Sequence, residues 1–208
     1  MGIKERKERE KDERKKQILE ATIQIIKEEG LDNLSIRKIA QKIEYSPAVV
    51  YHYFKNKEDI LEHTIHQQYV SLVQGMQALT EIEDPEVLIA ELGRKYINWA
   101  LENPELYKAI MLNSSPNVLK NSSVLFKGVA RERPAIGLLV ETLNKIGIYN
   151  EEKAESTAQL IWATTFGLII RMITENTDEE HRQYLIDHHA EFTVKAVKAM
   201  TGPEDNEA

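Results

Sequence analysis

Residues 35–54 read Ser-Ile-Arg-Lys-Ile-Ala-Gln-Lys-Ile-Glu-Tyr-Ser-Pro-Ala-Val-Val-Tyr-His-Tyr-Phe. Ser35 suits an N-cap, because its hydroxyl accepts from a backbone N–H that the first helical turn leaves without an internal partner. Ile36, Ile39, Ala40 and Ile43 follow at the spacing of one buried helical face, and Arg37, Lys38, Gln41 and Lys42 occupy the other. A second helix opens at Ser46, whose hydroxyl is again of capping type, with Pro47 at the first helical position, where a missing N–H costs nothing. Val50 and Phe54, four apart, turn inward and leave Pro47, Ala48, Tyr51, His52 and Lys55 outside. Two short helices joined by a tight break, the second offering small, aromatic and imidazole groups, form the pattern of a helix-turn-helix whose second helix can enter a major groove. The same residues also fit two ordinary amphipathic helices of an all-α bundle, so the flanking sequence has to decide.

Residues 12–29 predict a preceding helix with Ile18, Leu19, Thr22, Ile25 and Ile26 along one side, ended by Gly30 in a left-handed C′ position. After Phe54, Lys55-Asn56-Lys57-Glu58-Asp59-Ile60-Leu61 breaks the chain and starts another helix, which makes three helices ahead of a long fourth.

With these elements in place, residues 12–72 resemble the TetR family of bacterial one-component transcription regulators. The resemblance rests on Ile18-Leu19-Glu20-Ala21-Thr22, Gly30-Leu31, Ser35-Ile36-Arg37-Lys38-Ile39-Ala40 and Val50-Tyr51-His52-Tyr53-Phe54-Lys55-Asn56-Lys57-Glu58-Asp59-Ile60-Leu61. Two places depart from the family pattern. Ile43-Glu44-Tyr45-Ser46 stands where the family usually has Ala-Gly-Val-Ser, and Ala48 stands where a Gly is common. Without the turn glycine, Glu44 must adopt the turn's backbone angles, a strain of about 1 kcal/mol if they are left-handed. Carried over by position, the resemblance implies that Ser46, Pro47, Ala48, Val49 and His52 approach base edges. It assigns Tyr51, Tyr53, Arg37 and Lys57 to phosphates, with Ser35 at the helix start beside them. Lys57 suits that role because free amides and the helix dipole at its position already favour an anion. Tyr53 can instead pack beside Phe54, and His52 can be an idle surface histidine.

The chain has 208 residues and no cysteine, enough for a substantial core without disulfides, which fits a reducing cytoplasm. No stretch approaches the roughly 18 continuous apolar residues of a membrane span, and residues 1–30 are too charged for a signal peptide. The expectation is a soluble cytoplasmic protein with no membrane partner. With 9 Gly, 6 Pro and no alternating β-branched runs, the fold class is all-α: a three-helix DNA-binding domain and a helical body, about nine helices in all. The formal charge of −7 divides unevenly. Residues 1–60 hold 14 Lys and Arg against 12 Asp and Glu, net +2, whereas residues 61–208 hold 13 against 22, net −9. A slightly basic head on an acidic body is compatible with DNA binding, since phosphate attraction is screened beyond roughly 8 Å at physiological salt. Residues 4–16 mix both signs densely and read as a solvated helix end, or alternatively as an arm contacting a minor groove or phosphates.

The domain boundary is expected between residues 12–72, the DNA-binding head, and 73–202, a body for effector binding and dimerisation. Residues 57–80 predict a helix leading into that body, and residues 81–84 a polar break. Pro85 starts a helix carrying Val87, Leu88, Leu92, Tyr96, Trp99 and Ala100, and Asn103-Pro104 begins a short one through Leu112. Residues 113–117 read as loop, 121–134 as irregular with Pro134 at a kink or boundary, and 135–146 as a helix closed by Gly147. Residues 151–176 are apolar on nearly all sides, so more than one neighbour must cover them. On residues 178–200, Leu185, His189, Phe192, Ala196 and Ala199 step by three and four. Ala158, Ala163 and Gly167 are small enough for close helix approach. A two-fold four-helix interface using Ala163, Gly167, Leu185, His189, Phe192 and Ala196 follows, and the family resemblance implies the same homodimer.

The body resembles one group of TetR-type C-terminal domains through Tyr96-Ile97-Asn98-Trp99-Ala100-Leu101-Glu102-Asn103-Pro104-Glu105-Leu106-Tyr107 and a Trp-His-Gly pattern, present here as Trp162, Phe166 and Gly167. Phe166 in place of His substitutes an apolar wall for a polar contact. Tyr96, Trp99, Tyr107, Met111, Phe126, Trp162 and Phe166 can line a pocket for a small hydrophobic effector, or simply fill the core. Arg171 can bind an acidic ligand or pair with a carboxylate at the dimer edge.

An enzyme is the rival class. The chain has no cysteine nucleophile, Gly-x-Ser-x-Gly, glycine-rich phosphate loop or His-Glu-x-x-His. A di-metal carboxylate bundle needs Glu-x-x-His pairs, yet Val49, Ile60, His63, Asp178, Leu185 and Ile186 precede the six histidines by three. No catalytic, metal or cofactor site is therefore expected, and an adaptor on the same scaffold without DNA binding is the remaining alternative. The reading is of a homodimeric repressor on a palindromic double-stranded operator, released by the effector.

Overall fold

The computed structural model describes residues 2–112, 123–175 and 177–201. Among them are ten α-helices and no strand. They are α1 (Ile3–Glu29), α2 (Ile36–Lys42), α3 (Pro47–Tyr53), α4 (Lys57–Gln77), α5 (Pro85–Glu102), α6 (Pro104–Met111), α7 (Val129–Glu132), α8 (Pro134–Ile146), α9 (Glu151–Thr174) and α10 (Glu179–Met200). Short 3-10 turns follow α1 at Leu31–Asn33 and α4 at Ala78–Glu81.

The chain forms two compact units. The first contains α1 to α3, the N-terminal part of α4, and α6. Its core is Ile18, Ala21, Ile25, Ile26, Ile39, Ala40, Val50, Phe54, Ile60 and Leu61, all buried, together with Leu106, Tyr107, Ala109 and Ile110 of α6. The boundary thus differs from the expected one. α6 belongs with the head, because its buried face packs against α1 and the 3-10 turn after it. Residues 113–117 lie outside the described residues.

α1 begins nine residues before the expected start, since the charged segment supports its own helix with i,i+4 ion pairs such as Arg6–Glu10. Gly30 ends it at φ 80° and ψ 166°. That is not the expected left-handed helical well but an extended positive-φ region essentially open only to glycine. α2 opens as expected, Ser35 Oγ accepting from Lys38 N at 3.3 Å. It closes in a Schellman motif, in which Tyr45 N donates to Ala40 O at 2.9 Å and Glu44 N to Gln41 O at 3.1 Å. The C′ residue of that motif is Glu44, at φ 60°. The missing turn glycine has its expected consequence, a side-chain-bearing residue held in the left-handed region. Glu44→Gly is expected to raise the unfolding free energy by about 0.5–1 kcal/mol, the relief of strain exceeding glycine's extra unfolded-state entropy. Thermal unfolding checks this, and a lower midpoint for the variant would contradict it.

α3 starts at Ser46 and Pro47, but Ser46 caps only through its backbone geometry and its hydroxyl makes no capping bond. Val49 N, a donor that such a cap would satisfy, donates instead to the Ser46 carbonyl at 3.0 Å. The start of α4 is held by Asn56 Oδ1, which accepts from Asp59 N at 2.8 Å, while Asp59 Oδ2 accepts from Lys55 N at 2.8 Å.

The second unit contains the C-terminal part of α4, then α5 and α7 to α10. α5 is its central element, packing on α8, α9 and α10. Leu88, Leu92 and Ala100 are buried as the periodicity implies, but so are Ile89 and Ile97, and Val87 is exposed. The buried arc is wider than a single stripe because three helices cover it. Arg133 separates α7 from α8, so Pro134 marks a boundary and stands at the first position of α8. Gly147 closes α8 at φ 119°, in the left-handed conformation expected of it. Glu155 of α9 caps α7 from outside, accepting from Gly128 N at 2.7 Å and Ala130 N at 3.1 Å.

α9 is, by length and composition, apolar enough to cross a bilayer, a test that a core helix of a soluble protein passes too. The expectation that nothing approached a membrane span counted uninterrupted apolar residues. An average over the helix tolerates Gln159, Thr164, Thr165, Gly167 and Arg171. One face of α9, with Ala154, Thr157, Ala158, Thr165, Ile169 and Met172, is buried within its unit. The opposite face, Ser156, Leu160, Thr164, Gly167 and Arg171, is exposed.

Candidate nucleic-acid interface

α3 presents two distinct sides. Val50 and Phe54 are buried, whereas Ser46, Pro47, Ala48, Tyr51 and His52 are exposed, with Val49 and Tyr53 half-buried at the borders. Tyr51 is 57% exposed, which rules it out as a core residue of this chain. The rings of His52 and Tyr53 meet edge to face at 5.1 Å, so Tyr53 packs on His52 as well as lying next to Phe54 in sequence. Because Phe54 ends α3 in an extended conformation, the helix stays at seven residues, short enough to present its N-terminal half end-on to a groove.

The cations around α3 divide by their partners. Lys38 pairs with Glu29 and Lys42 with Glu28, both of α1, at 2.5 and 2.6 Å. Arg37, Lys55 and Lys57 have no ion pair among the described residues. Arg37 and Lys55 are exposed, and Lys57 is half-buried at the first position of α4. Glu58 and Asp59 share that first turn, so the amides there attract an anion while two carboxylates oppose it. Ser35 uses its oxygen as an acceptor for the cap, which leaves its hydroxyl proton to donate outward. His63, which shares a face with His66, donates from Nδ1 to Asp59 O at 2.8 Å and meets the Phe54 ring at 5.3 Å. One further contact has no sequence signal, because its members are 31 positions apart: the Arg14 guanidinium lies 4.0 Å from the centroid of the Tyr45 ring.

The effector candidates do not form one group. Tyr107 and Met111 belong to the first unit, where Tyr107 is fully buried in the core. Tyr96 and Trp99 pack on Leu72, Met76, Leu88, Leu92 and Leu138 of the second unit. Phe126 and Trp162 pack on a separate cluster that includes Ile89, Leu143, Ile148 and Ala158. The Trp162 and Phe166 rings stack at 5.3 Å with a 9° interplanar angle. Arg171 faces outward and pairs with Glu175 one turn on, which favours the carboxylate-pairing alternative.

Of the dimer candidates, Gly167 and Phe192 are exposed, whereas Ala163, Leu185, His189 and Ala196 are half-buried. His189 turns toward α9, where Thr165 Oγ1 lies 3.3 Å from its Nε2. Thr165 already donates its proton to Ile161 O, so it serves as the acceptor. Burial pushes the His189 pKa below its ordinary value. The exposed row on α10 is instead Tyr184, His188 and Phe192 with His181 above them, and the rings of His181, Tyr184 and His188 stack in sequence. The strict four-residue step of 184, 188 and 192 was a readable signal; periodicity places that row only to within one position until the neighbours of α10 are known.

A short helix with an exposed polar and aromatic face, packed on α2, which itself packs on α1, and started by a Ser-Pro pair, defines a helix-turn-helix protein. Residues 18–64 match the bacterial regulatory proteins of the tetR family. Residues 89–197, just over half the chain, match the tetracyclin repressor-like C-terminal domain, a description that does not extend to the Trp-His-Gly grouping. The chain belongs to the TetR family. It is 32% identical over 121 residues to an uncharacterized HTH-type transcriptional regulator of Mycobacterium tuberculosis (strain CDC 1551 / Oshkosh), a match covering 57% of this chain and 51% of the relative. The chain thus spans about half the length of that curated relative. Its fold is that of a transcriptional regulator from Rhodococcus sp. Rha1 (TM-score 0.71, 17% identity, 88% of this chain and 95% of the other). The fold is shared too with FadR from Bacillus subtilis, solved in complex with stearoyl-CoA (TM-score 0.66, 18% identity, 88% and 97%).

Proposed function

We propose that this chain is a homodimeric DNA-binding repressor that reads a palindromic operator with α3 and is released by a small hydrophobic effector bound in its body. The observation that carries the DNA-binding part is the division of α3 into a buried side, Val50 and Phe54, and an open side, Pro47, Ala48, Tyr51 and His52. Small residues at the helix start let the backbone approach base edges, and Arg37, Tyr51, Tyr53 and Lys57 supply phosphate contacts around them. The head is residues 12–72 with α6 added to its support, and the body is the remainder of 73–202.

The self-partner reading is supported by Leu160, Tyr184 and Phe192, which are 65%, 61% and 59% exposed on α9 and α10. Large apolar side chains exposed on two helices are of the kind that a protein interface covers. The polar residues interspersed on the exposed face of α9 favour a protein partner over lipid. For the effector, FadR's complex with stearoyl-CoA supports an apolar ligand, and Phe126, Trp162 and Phe166 supply aromatic surface of that kind. Such a ligand releases DNA only to the extent that it binds the released state better than the DNA-bound one.

Selection from random duplex DNA is expected to enrich a palindrome. On the selected duplex, Tyr51→Ala and Lys57→Ala should each weaken binding about tenfold, with the salt slope falling by about one for the lysine. Unchanged affinity in both variants would refute the assigned contacts.

A further inference from the structure

The charges in the first half of α1 are sorted by face. Arg6 pairs with Glu10, Arg9 with Glu13 and Lys16 with Glu20. Lys4, Lys7, Lys11 and Lys15 have no ion pair among the described residues; the first three are exposed and Lys15 is half-buried. At 3.6 residues per turn, positions 4, 7, 11, 14 and 15 share about 100° of arc. Followed toward the C-terminus in steps of three and four, the same face becomes Ile18, Ala21, Thr22 and Ile25, all buried in the head. α1 therefore keeps one face along its length, apolar where it meets the core and cationic where it runs past it. Arg14 marks the junction, because its guanidinium stacks on Tyr45, the residue before Ser46 and the start of α3.

We propose that Lys4, Lys7, Lys11 and Lys15 form a second phosphate-binding surface that follows the DNA backbone beside the groove entered by α3. The proposal rests on the reading of the chain as a DNA-binding protein. Duplex DNA is the occupant that the observations favour, for three reasons. The row is continuous with the helix-turn-helix through the Arg14–Tyr45 contact. From Lys4 to Arg14 it is about 15 Å long, enough to reach several phosphates, which recur about every 3.4 Å of duplex axis on each strand. The spacing of Lys7, Lys11 and Lys15 at i,i+4 repels along an isolated helix, a cost that a row of phosphates removes. Glu8 and Asp12 border the row in sequence and weaken its field at a distance, so the surface adds contacts after docking rather than steering the approach.

The test is equilibrium binding of the full chain to a random-sequence duplex across a series of KCl concentrations. It compares the unaltered chain, K4Q/K7Q/K11Q/K15Q and R6Q/R9Q/K16Q, the last removing charges from the other faces. The lysine set is expected to lower the salt slope by about two to four and the low-salt affinity at least tenfold. The arginine-containing set should change both less, and K4R/K7R/K11R/K15R should retain binding. An unchanged slope for the lysine set, or equal losses for both sets, would overturn the surface. So would loss of binding to phosphatidylserine vesicles with DNA binding intact, which would make it a lipid contact. If the unaltered chain binds no DNA, the proposed function falls with it. If Tyr51→Ala weakens binding and the lysine set does not, the lysine surface alone is wrong.

Discussion

Replacing Tyr107 with alanine is expected to lower the unfolding free energy by about 3–5 kcal/mol. Tyr107 is fully buried, and α6 supplies Leu106, Ala109 and Ile110 beside it to the same core. Truncating the ring removes its transfer energy and leaves a cavity among side chains of α1 and α6 that cannot close fully. Urea titration should show a lower midpoint at an unchanged slope with denaturant. Had Tyr107 lined an effector pocket, the same substitution would enlarge an existing space and shift ligand affinity with little loss of stability. A change below about 1 kcal/mol would return it to the pocket candidates.

A double charge substitution on the body, Leu160→Glu with Phe192→Glu, should convert the proposed dimer into monomers and lower operator affinity at least 100-fold. Both side chains are more than half exposed within one chain, so introducing carboxylates leaves each unit's own core intact. In a two-fold assembly each change occurs twice and sets like charges against one another in a desolvated contact, where an unpaired charge is costly. Operator affinity should follow because two linked recognition helices bind at a high effective concentration that separate monomers lack. Sedimentation velocity reads the first effect and operator titration the second. A variant that still sediments as a dimer would place the interface elsewhere.

The head was legible because short-range rules act there. Ser35, Pro47, Val50 and Phe54 each have a role set by residues within four positions, and the structure places Ser35 at the N-cap, Pro47 at the first turn and the other two in the core. Even the strained turn could be anticipated, since Glu44 occupies a position that the family pattern gives to glycine. The body was less legible. α5 buries Ile89 and Ile97 as well as the expected stripe, since three helices rather than one lie against it. The outward row of α10 is one position removed from the candidate set, and His189 turns toward Thr165. Adjacent registers on a helix are similarly apolar here, so periodicity alone does not choose between them.

By itself the sequence determined the helical class, the helix-turn-helix and its Ser35 cap, and its motifs carried the resemblance to the family. The helices and that cap follow from interactions between residues close together in the chain. Tertiary structure alone decided that α6 completes the head, that Tyr107 is core, and that Arg14 stacks on Tyr45. Each of these depends on which elements pack together, and a helix with several apolar or charged faces does not carry that choice in its own residues.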